Sequence, residues 1–220
     1  MILPATLDFL EKLRENNNRE WFKQNKQLYE ESHRNVYQFS AEIIKSLSQL
    51  DSTIPDQLDP KDCVMRIYRD IRFSKDKSPY KLNFGIGISA KGKNFDGPGY
   101  YLHIEPGKCF VGGGAWHPTT ELLKSVRQEI DYNSSDWHEI IDSSDFKKTF
   151  NELSAEDKLQ TAPKGYPSDH PDIEYLKLKS FIAARNLKDK EVMSTSAAAI
   201  VTETFEKLYP LIVFLRNANA

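Results

Sequence analysis

Apolar residues recur at helical spacing through the first fifty positions. Leu7, Leu10 and Leu13 form a short apolar face, and a second series follows the polar run at 16–18 with a period of about 3.6 residues. That second series is Trp21, Leu28, Val36, Phe39, Ile43, Leu47 and Leu50. The pattern predicts a helical hairpin with a long second arm, for which Asn18 is a suitable N-cap.

A period of two replaces the helical period in the middle of the chain. Residues 84–90 and 100–105 alternate apolar with polar or small side chains, and the stretch 91–99 between them is rich in turn formers. This pattern predicts a β-hairpin. The turn sequence Pro106-Gly107-Lys108 leads into a third strand at 109–111, and residues 64–68 are the predicted fourth strand.

Helical spacing returns in the last hundred residues. An apolar stripe begins at Leu122, with Pro118 as the predicted first helical residue, and a short helix is predicted around 137–141. A last helix covers 197–215, kinked or ended near Pro210. Together these elements predict an α+β fold, with an antiparallel sheet of about four or more strands covered by helices and with helices at both termini. A single domain over 1–220 is the simplest organisation, because no linker or repeat interrupts the chain.

Composition narrows the classes of protein. The 220 residues are 39% hydrophobic and carry a net charge of −2, which favours a globular protein over one that coats itself in nucleic acid. No apolar run is long enough to span a membrane, and the N-terminus lacks the pattern of a secretion signal, so we expect a cytoplasmic protein. Cys63 and Cys109 form no CxxC motif and are expected to be reduced, buried thiols.

Cationic charge is concentrated in RIYRDIRFSKDKSPYK, residues 66–81. Guanidinium groups bind carboxylate or phosphate through two parallel hydrogen bonds, so this stretch is a candidate anion site. Its predicted ligand-binding members are Arg66, Arg69, Arg72, Lys77 and Tyr80, with Asp70 and Asp76 as counter-ions. Because side chains alternate along a strand, the three arginines converge only if a bend or bulge intervenes. The alternative is a lattice of salt bridges that fixes loops.

Two neighbouring motifs could contribute to such a site. Gly113 and Gly114 belong to a triple glycine that could turn backbone N–H groups toward an anion at a helix start, or could only let a strand pass close to its neighbours. His103 shares one predicted strand face with Tyr101 and Glu105. It is either a proton-transfer group or part of a solvated surface. Asp70 and His103 are the candidate catalytic residues. The histidine spacings do not indicate a metal site, and the sequence leaves cofactors and oligomeric state open.

The chain resembles the bacterial family catalogued as domain of unknown function 2461. The resemblance rests on the pattern Arg-x-x-Arg-Asp-x-Arg-Phe, followed by Asp, Lys and Tyr, at residues 66–80, and on further phrases along nearly the whole chain. Those phrases are NNNREWF at 16–22, DKSPYK at 76–81, PGYYLHIEPG at 98–107, GGG at 112–114 and PKGY at 163–166. The resemblance implies no established activity.

Three functions therefore stay open. The first is a domain that binds, or binds and acts on, a phosphorylated or other anionic small molecule through the Arg/Lys/Tyr-rich stretch. The second is an oligonucleotide-binding or processing protein, in which Tyr68, Tyr80, Tyr100 or Tyr101 stack on bases. The third is a non-catalytic protein that docks an acidic partner. Whether the protein is an enzyme is not decided by the sequence.

Overall fold

The computed structural model describes residues 1–94 and 97–218, which form ten helices and four strands. The helices are α1 (Pro4–Glu15), α2 (Arg19–Gln24), α3 (Lys26–Leu50), α4 (Pro60–Cys63), α5 (Thr120–Tyr132), α6 (Ser134–Ile141), α7 (Ser144–Phe150), α8 (Ile173–Leu176), α9 (Asp189–Val192) and α10 (Ala197–Asn217). The strands are β1 (Phe84–Ile88), β2 (Gly99–Ile104), β3 (Cys109–Ala115) and β4 (Phe181–Leu187). They form one open antiparallel sheet in the order β1-β2-β3-β4, which confirms the predicted α+β class with helical termini.

The hairpin of β1 and β2 and the following strand β3 are confirmed, although residues 95–96 of the predicted turn lie outside the described residues. The predicted strand at 64–68 is wrong. That segment pairs only through isolated bridges, Val64 with Ile86 and Tyr68 with Tyr80. The fourth strand is instead β4, which the sequence interpretation missed.

The helical boundaries differ from the prediction at polar and proline residues. Asn18 caps α2, since its side chain accepts a hydrogen bond from the Trp21 amide at 2.9 Å, as predicted. The long second arm is interrupted at Asn25, which separates α2 from α3. The prediction that Pro118 starts a helix is wrong, because Thr119 is the N-cap of α5. The last helix continues through Pro210.

Contacts along the chain group it into two compact units. The first contains Met1–Asn94, Tyr101–Val111 and Asn186–Glu203. Its core includes the apolar face of α3, where Val36, Ile43 and Leu47 are fully buried. Phe84 at the start of β1 lies beside Tyr29 of α3, with 6.4 Å between ring centroids. The amphipathic spacing of α3 thus has its physical reason in packing within this unit.

The second unit contains the described parts of residues 95–100, 112–185 and 204–220. Its centre is Trp137 of α6, which is completely buried and meets Phe181 edge to face at 6.1 Å and Phe214 at 5.2 Å. Such aromatic pairs add stability beyond the area they bury. The single-domain organisation stays a prediction.

Both cysteines are free and buried, as predicted. Burial raises the pKa of the Cys63 thiol to about 12 and that of the Cys109 thiol to about 11. Because the thiolate is the reactive form, these thiols are poor nucleophiles at neutral pH. Among the described residues, no helix is long and apolar enough to cross a membrane.

Candidate functional site

The arginine-rich stretch divides into a strand-like start and a protruding loop. Tyr68 pairs with Tyr80, and the Arg69 amide donates to the Pro79 carbonyl at 3.0 Å, so residues 69–79 form a loop closed at its base. We call this segment the arginine loop. Arg66 precedes it and Lys81 follows it. The three arginines therefore do not lie on one regular strand. Their spacing had already excluded a regular strand with all three side chains on one face.

The charges of the arginine loop are paired within the loop. Arg69 forms an ion pair with Asp76, and Arg72 binds both carboxylate oxygens of Asp70. The Lys77 ammonium donates to the carbonyl of Ile71 at 2.9 Å. Each aspartate is thus the counter-ion of one arginine and bridges no second one in the described loop. Arg69 and Arg72, two of the predicted anion-binding residues, are therefore engaged with carboxylates of the loop itself.

Asp76 is held as a carboxylate chiefly by hydrogen bonds. Its Oδ1 atom accepts from the Ser78 hydroxyl at 2.5 Å and from the Ser78 amide at 2.9 Å, while Oδ2 faces Arg69. These contacts, Ser78 first and Arg69 second, lower the pKa of Asp76 far below its ordinary value. Asp70 also has a lowered pKa, because Arg72 donates to it. A carboxylate so stabilised is a weak proton acceptor, so Asp70 is poorly suited to the catalytic role predicted for it.

Tyr80 is part of the packed base of the loop. Its ring stacks on Phe22 with a centroid distance of 4.0 Å, and only 5% of the residue is exposed. Its backbone amide and carbonyl bind the side chain of Asn17 at 3.1 and 3.0 Å. These contacts join the loop to the helical hairpin, and they leave Tyr80 little surface for a ligand.

A separate cleft of about 470 Å³ lies next to Arg66, in the first unit. The volume is in the range of small-molecule pockets. Cationic side chains line it, and none of its described lining residues is acidic. The cations are Lys61, Arg66, Lys81 and Lys93. We call this site the cationic cleft.

The cations of the cleft differ in how they are held. The Lys93 ammonium donates to the carbonyls of Lys61 and Val64 at 2.6 and 3.1 Å. For Lys61, Arg66 and Lys81, the described residues provide no ion pair. Burial lowers the pKa of Lys81, and the neighbouring charge of Arg66 lowers it further. Positive charges that repel one another favour a bound anion, although the charge of Asp70 also acts on Arg66.

One wall of the cationic cleft is a row of rings on α3. Tyr29, His33 and Tyr37 follow each other at intervals of four residues, with 5.1 Å between the first two rings and 4.1 Å between the last two. Burial raises the pKa of Tyr29 to about 12 and lowers the pKa of His33, so all three rings are neutral at pH 7. The sequence interpretation missed this row, although its spacing was a readable signal.

His103 belongs to a chain of hydrogen bonds on the polar face of β2. Its Nε2 atom lies 3.1 Å from Glu105 Oε2, and its Nδ1 atom lies 3.2 Å from the Tyr101 hydroxyl. If Nε2 carries the proton donated to Glu105, Nδ1 is the acceptor for Tyr101. The three side chains share one strand face, as predicted from their alternation.

The electrostatics of this chain keep the carboxylate charged. Burial opposes ionisation of Glu105, but the hydrogen bond from His103 and the charges of Lys108 and Arg14 hold its pKa below the ordinary value. Burial raises the pKa of Tyr101 to about 12. His103 does not line the cationic cleft. It contacts Tyr101 and Glu105, whereas Asp70 contacts Arg72, so the two predicted catalytic residues share no partner.

Gly113 and Gly114 lie inside β3 instead of forming a loop before a helix. A Cβ atom on Gly114 would stand 1.9 Å from the Phe181 carbonyl oxygen, and the φ of +123° is unfavourable for other residues. A Cβ on Gly113 would meet the Gly99 carbonyl oxygen at 2.3 Å. Close strand packing therefore explains these glycines, and neither lines the cationic cleft.

The fold and the cleft define an α+β protein with a cationic, ring-walled cleft. The chain belongs to the family of conserved hypothetical proteins catalogued as domain of unknown function 2461, since that family's sequence profile matches residues 5–214. This confirms the family predicted from the sequence. Comparison with curated proteins and comparison with solved structures found no match.

Proposed function

We propose that this protein binds a phosphorylated or otherwise anionic small molecule in the cationic cleft. The observation that supports the proposal is the lining itself, in which four cationic side chains surround about 470 Å³ without an acidic residue among the described lining. Arg66 supplies a planar fork suited to two phosphate or carboxylate oxygens, and Lys81 and Lys61 supply point charges. The site differs from the sequence hypothesis, because only Arg66 of the three arginines contributes to it.

The ring wall suits the non-ionic part of such a ligand. Tyr29, His33 and Tyr37 offer apolar surface, while their polar atoms can orient a ligand by hydrogen bonds. A small anion with an organic body would therefore use both walls of the cleft. Two of the four tyrosines of the oligonucleotide hypothesis are buried, since Tyr100 is 0% and Tyr80 is 5% exposed, whereas Tyr68 is 50% exposed. No specific observation favours that second function.

Calorimetry and thermal unfolding with glycerol 3-phosphate and pyrophosphate as probes test the proposal. We expect both anions to raise the Tm of the wild type, since a ligand that binds only the folded state stabilises it, and glycerol to have no effect. Arg66→Gln should weaken the response strongly. Arg72→Gln is the matched control, because Arg72 is 76% exposed and paired outside the cleft.

Salt dependence adds a second criterion. A single small anion should lose affinity gradually with increasing KCl, whereas an oligonucleotide that contacts several phosphates shows a steep slope. No protection by either anion at millimolar concentration, or an equal response in Arg66→Gln and Arg72→Gln, would contradict the proposal. Tight, steeply salt-dependent binding of single strands would support the oligonucleotide function instead.

A further inference from the structure

Lys81 differs from the other partly buried lysines of the described chain because its ammonium has neither an ion-pair partner nor a hydrogen-bond acceptor among the described residues. In the second unit, Lys158 and Lys177 both pair with Glu174, and Lys179 pairs with Asp157 at 2.7 Å. In the first unit, Lys93 is held by two backbone carbonyls. Lys81 lines the cationic cleft, and the positive charge of Arg66 acts on its ammonium.

The backbone fixes the position of Lys81 firmly. Its amide donates to the Ile67 carbonyl at 2.7 Å, and it directly follows the pair formed by Tyr68 and Tyr80. Residue 81 and residue 66 thus lie on neighbouring backbone segments and present their side chains to the same cleft. A rigid base of this kind is what a reactive amine requires for orientation.

The surroundings of Lys81 favour the neutral amine. Burial lowers its pKa, and Arg66 acts in the same direction. The described groups that line the cleft include no carboxylate, but the charges of Asp59 and Asp70 act on Tyr37 and Arg66. The titratable lining groups besides Lys81 are Tyr29, His33 and Tyr37 from α3, Lys61 from α4, Arg66, and Lys93. A lysine that is desolvated and lies beside another cation is a recognised form of amine nucleophile.

We propose that Lys81 is a nucleophile that forms an imine with an aldehyde or ketone group of the anionic ligand. This inference rests on the proposed function, because the other cations of the cleft must hold the anionic group while the carbonyl reaches Lys81. It assigns the ligand to the class of phosphorylated or carboxylated aldehydes and ketones. The positive charge of the product is compatible with a bound anion in the same cleft.

The step involves no change of oxidation state. The Lys81 ammonium first gives one proton to solvent. The lone pair of the resulting amine forms a bond to the carbonyl carbon, and one proton passes from the nitrogen to the carbonyl oxygen to give a neutral carbinolamine. That hydroxyl then leaves with a second proton as water, while the nitrogen lone pair forms the C=N bond. Overall, one carbonyl group and one lysine ammonium give one iminium group and one water molecule.

Pyridoxal 5′-phosphate is a suitable probe, because it combines an aldehyde, a phosphate and a flat ring. The protein is mixed with less than one equivalent of the probe, reduced with borohydride, digested, and analysed by peptide mass mapping. We expect a severalfold preference for label on Lys81 over the exposed Lys77 and Lys108, and suppression of that label by pyrophosphate. Pyridoxal, which lacks the phosphate, should label Lys81 far less.

Lys81→Arg separates the inference from the function on which it rests. Arginine offers no nucleophilic amine at neutral pH, while binding of glycerol 3-phosphate, which has no carbonyl group, to the wild-type protein reports the proposed function by itself. The variant should lose both the imine absorbance and the label at this position, whereas Lys77→Arg should retain them.

Label spread evenly over surface lysines, in a protein that binds glycerol 3-phosphate, would overturn the nucleophile and leave the anion site intact. Failure of glycerol 3-phosphate and pyrophosphate to bind would overturn the proposed function itself.

Discussion

The arginine loop and the cationic cleft contain similar side chains in opposite electrostatic situations. In the loop, Arg69 and Arg72 each have an aspartate partner, and Lys77 is bound to a carbonyl. In the cleft, Arg66 and Lys81 share a cavity whose described lining contains no carboxylate. The density of positive charge along a sequence therefore does not indicate where that charge is available. Availability depends on which cations lack a partner after folding.

The contrast suggests different roles for two parts of one sequence motif. The loop is a structural element whose base packs on the helical hairpin through Tyr80 and Phe22. The cleft is the candidate binding site. It is lined by Arg66, which precedes the loop in sequence, and by Lys81, which follows it. The following predictions test this division, beginning with the largest expected effect.

Replacement of Tyr80 should affect stability and not ligand affinity. Tyr80→Ala removes a ring that is 5% exposed and stacked on Phe22, and loss of a buried aromatic side chain costs about 3 kcal/mol or more in free energy of unfolding. Urea denaturation measures the loss. Tyr68→Ala is the control, since Tyr68 is 50% exposed and should cost much less.

Removal of two cleft cations should nearly abolish anion binding. In the double variant Arg66→Ala/Lys81→Ala, loss of two charge-assisted contacts should weaken binding of glycerol 3-phosphate by about 3 kcal/mol, roughly a hundredfold. Calorimetry measures this change. The loop variant Arg69→Ala/Arg72→Ala removes the same amount of charge and should bind nearly as the wild type does. Equal losses in the two double variants would remove the distinction between loop and cleft.

Addition of a carboxylate should make the cleft resemble the loop. Asn94 lines the cleft and is exposed, so Asn94→Asp should pair with a cleft cation and repel the anion, at a cost of about 1 kcal/mol in binding free energy. Ser74→Asp, which adds a carboxylate to the arginine loop instead, should leave the affinity for the anion unchanged. An unaltered affinity in Asn94→Asp would show that the anion binds elsewhere.

The pH dependence of stability should reveal the paired state of Asp76. Its folded pKa lies below the ordinary value, so its stabilising contribution is complete above the unfolded pKa of about 3.9 and is lost as pH falls through the folded pKa. The stability difference between wild type and Asp76→Asn should thus be constant from pH 7 to about 5 and decrease below about 4. Ser78→Ala should weaken this dependence, because it removes the hydroxyl hydrogen bond, the largest cause of the lowered pKa, while the amide of residue 78 and Arg69 remain.

Local patterns predicted much of the fold. The β1–β2 hairpin, the Asn18 cap and the short helix α6 follow from alternation, capping chemistry and helical period, which depend on neighbours in sequence. Strand β4 was missed because Phe181–Leu187 begins with four apolar residues in a row, so its residue types do not alternate although its burial does. Val64–Tyr68 has strand-like composition but makes only isolated bridges, since composition does not specify a pairing partner.

The candidate site was predicted only in part. Arg66 was named, and the shared face of Tyr101, His103 and Glu105 followed from alternation. Lys81 and Lys93 meet Arg66 through pairing between distant segments, which no short motif encodes. Tyr29, His33 and Tyr37 were readable as one helix face, but their role depends on the cleft opposite them. Contacts across long separations therefore set the limit of the sequence interpretation.

Chemical-shift mapping by ¹H–¹⁵N NMR during titration with glycerol 3-phosphate can distinguish anion binding in the cationic cleft from anion binding in the arginine loop. We expect the largest shifts on residues 61–66, on Lys81 and on residues 93–94, while the amides of residues 69–79 move little. The largest shifts at Arg69, Arg72 and Lys77, with little change around Arg66 and Lys81, would contradict the proposed binding in the cleft.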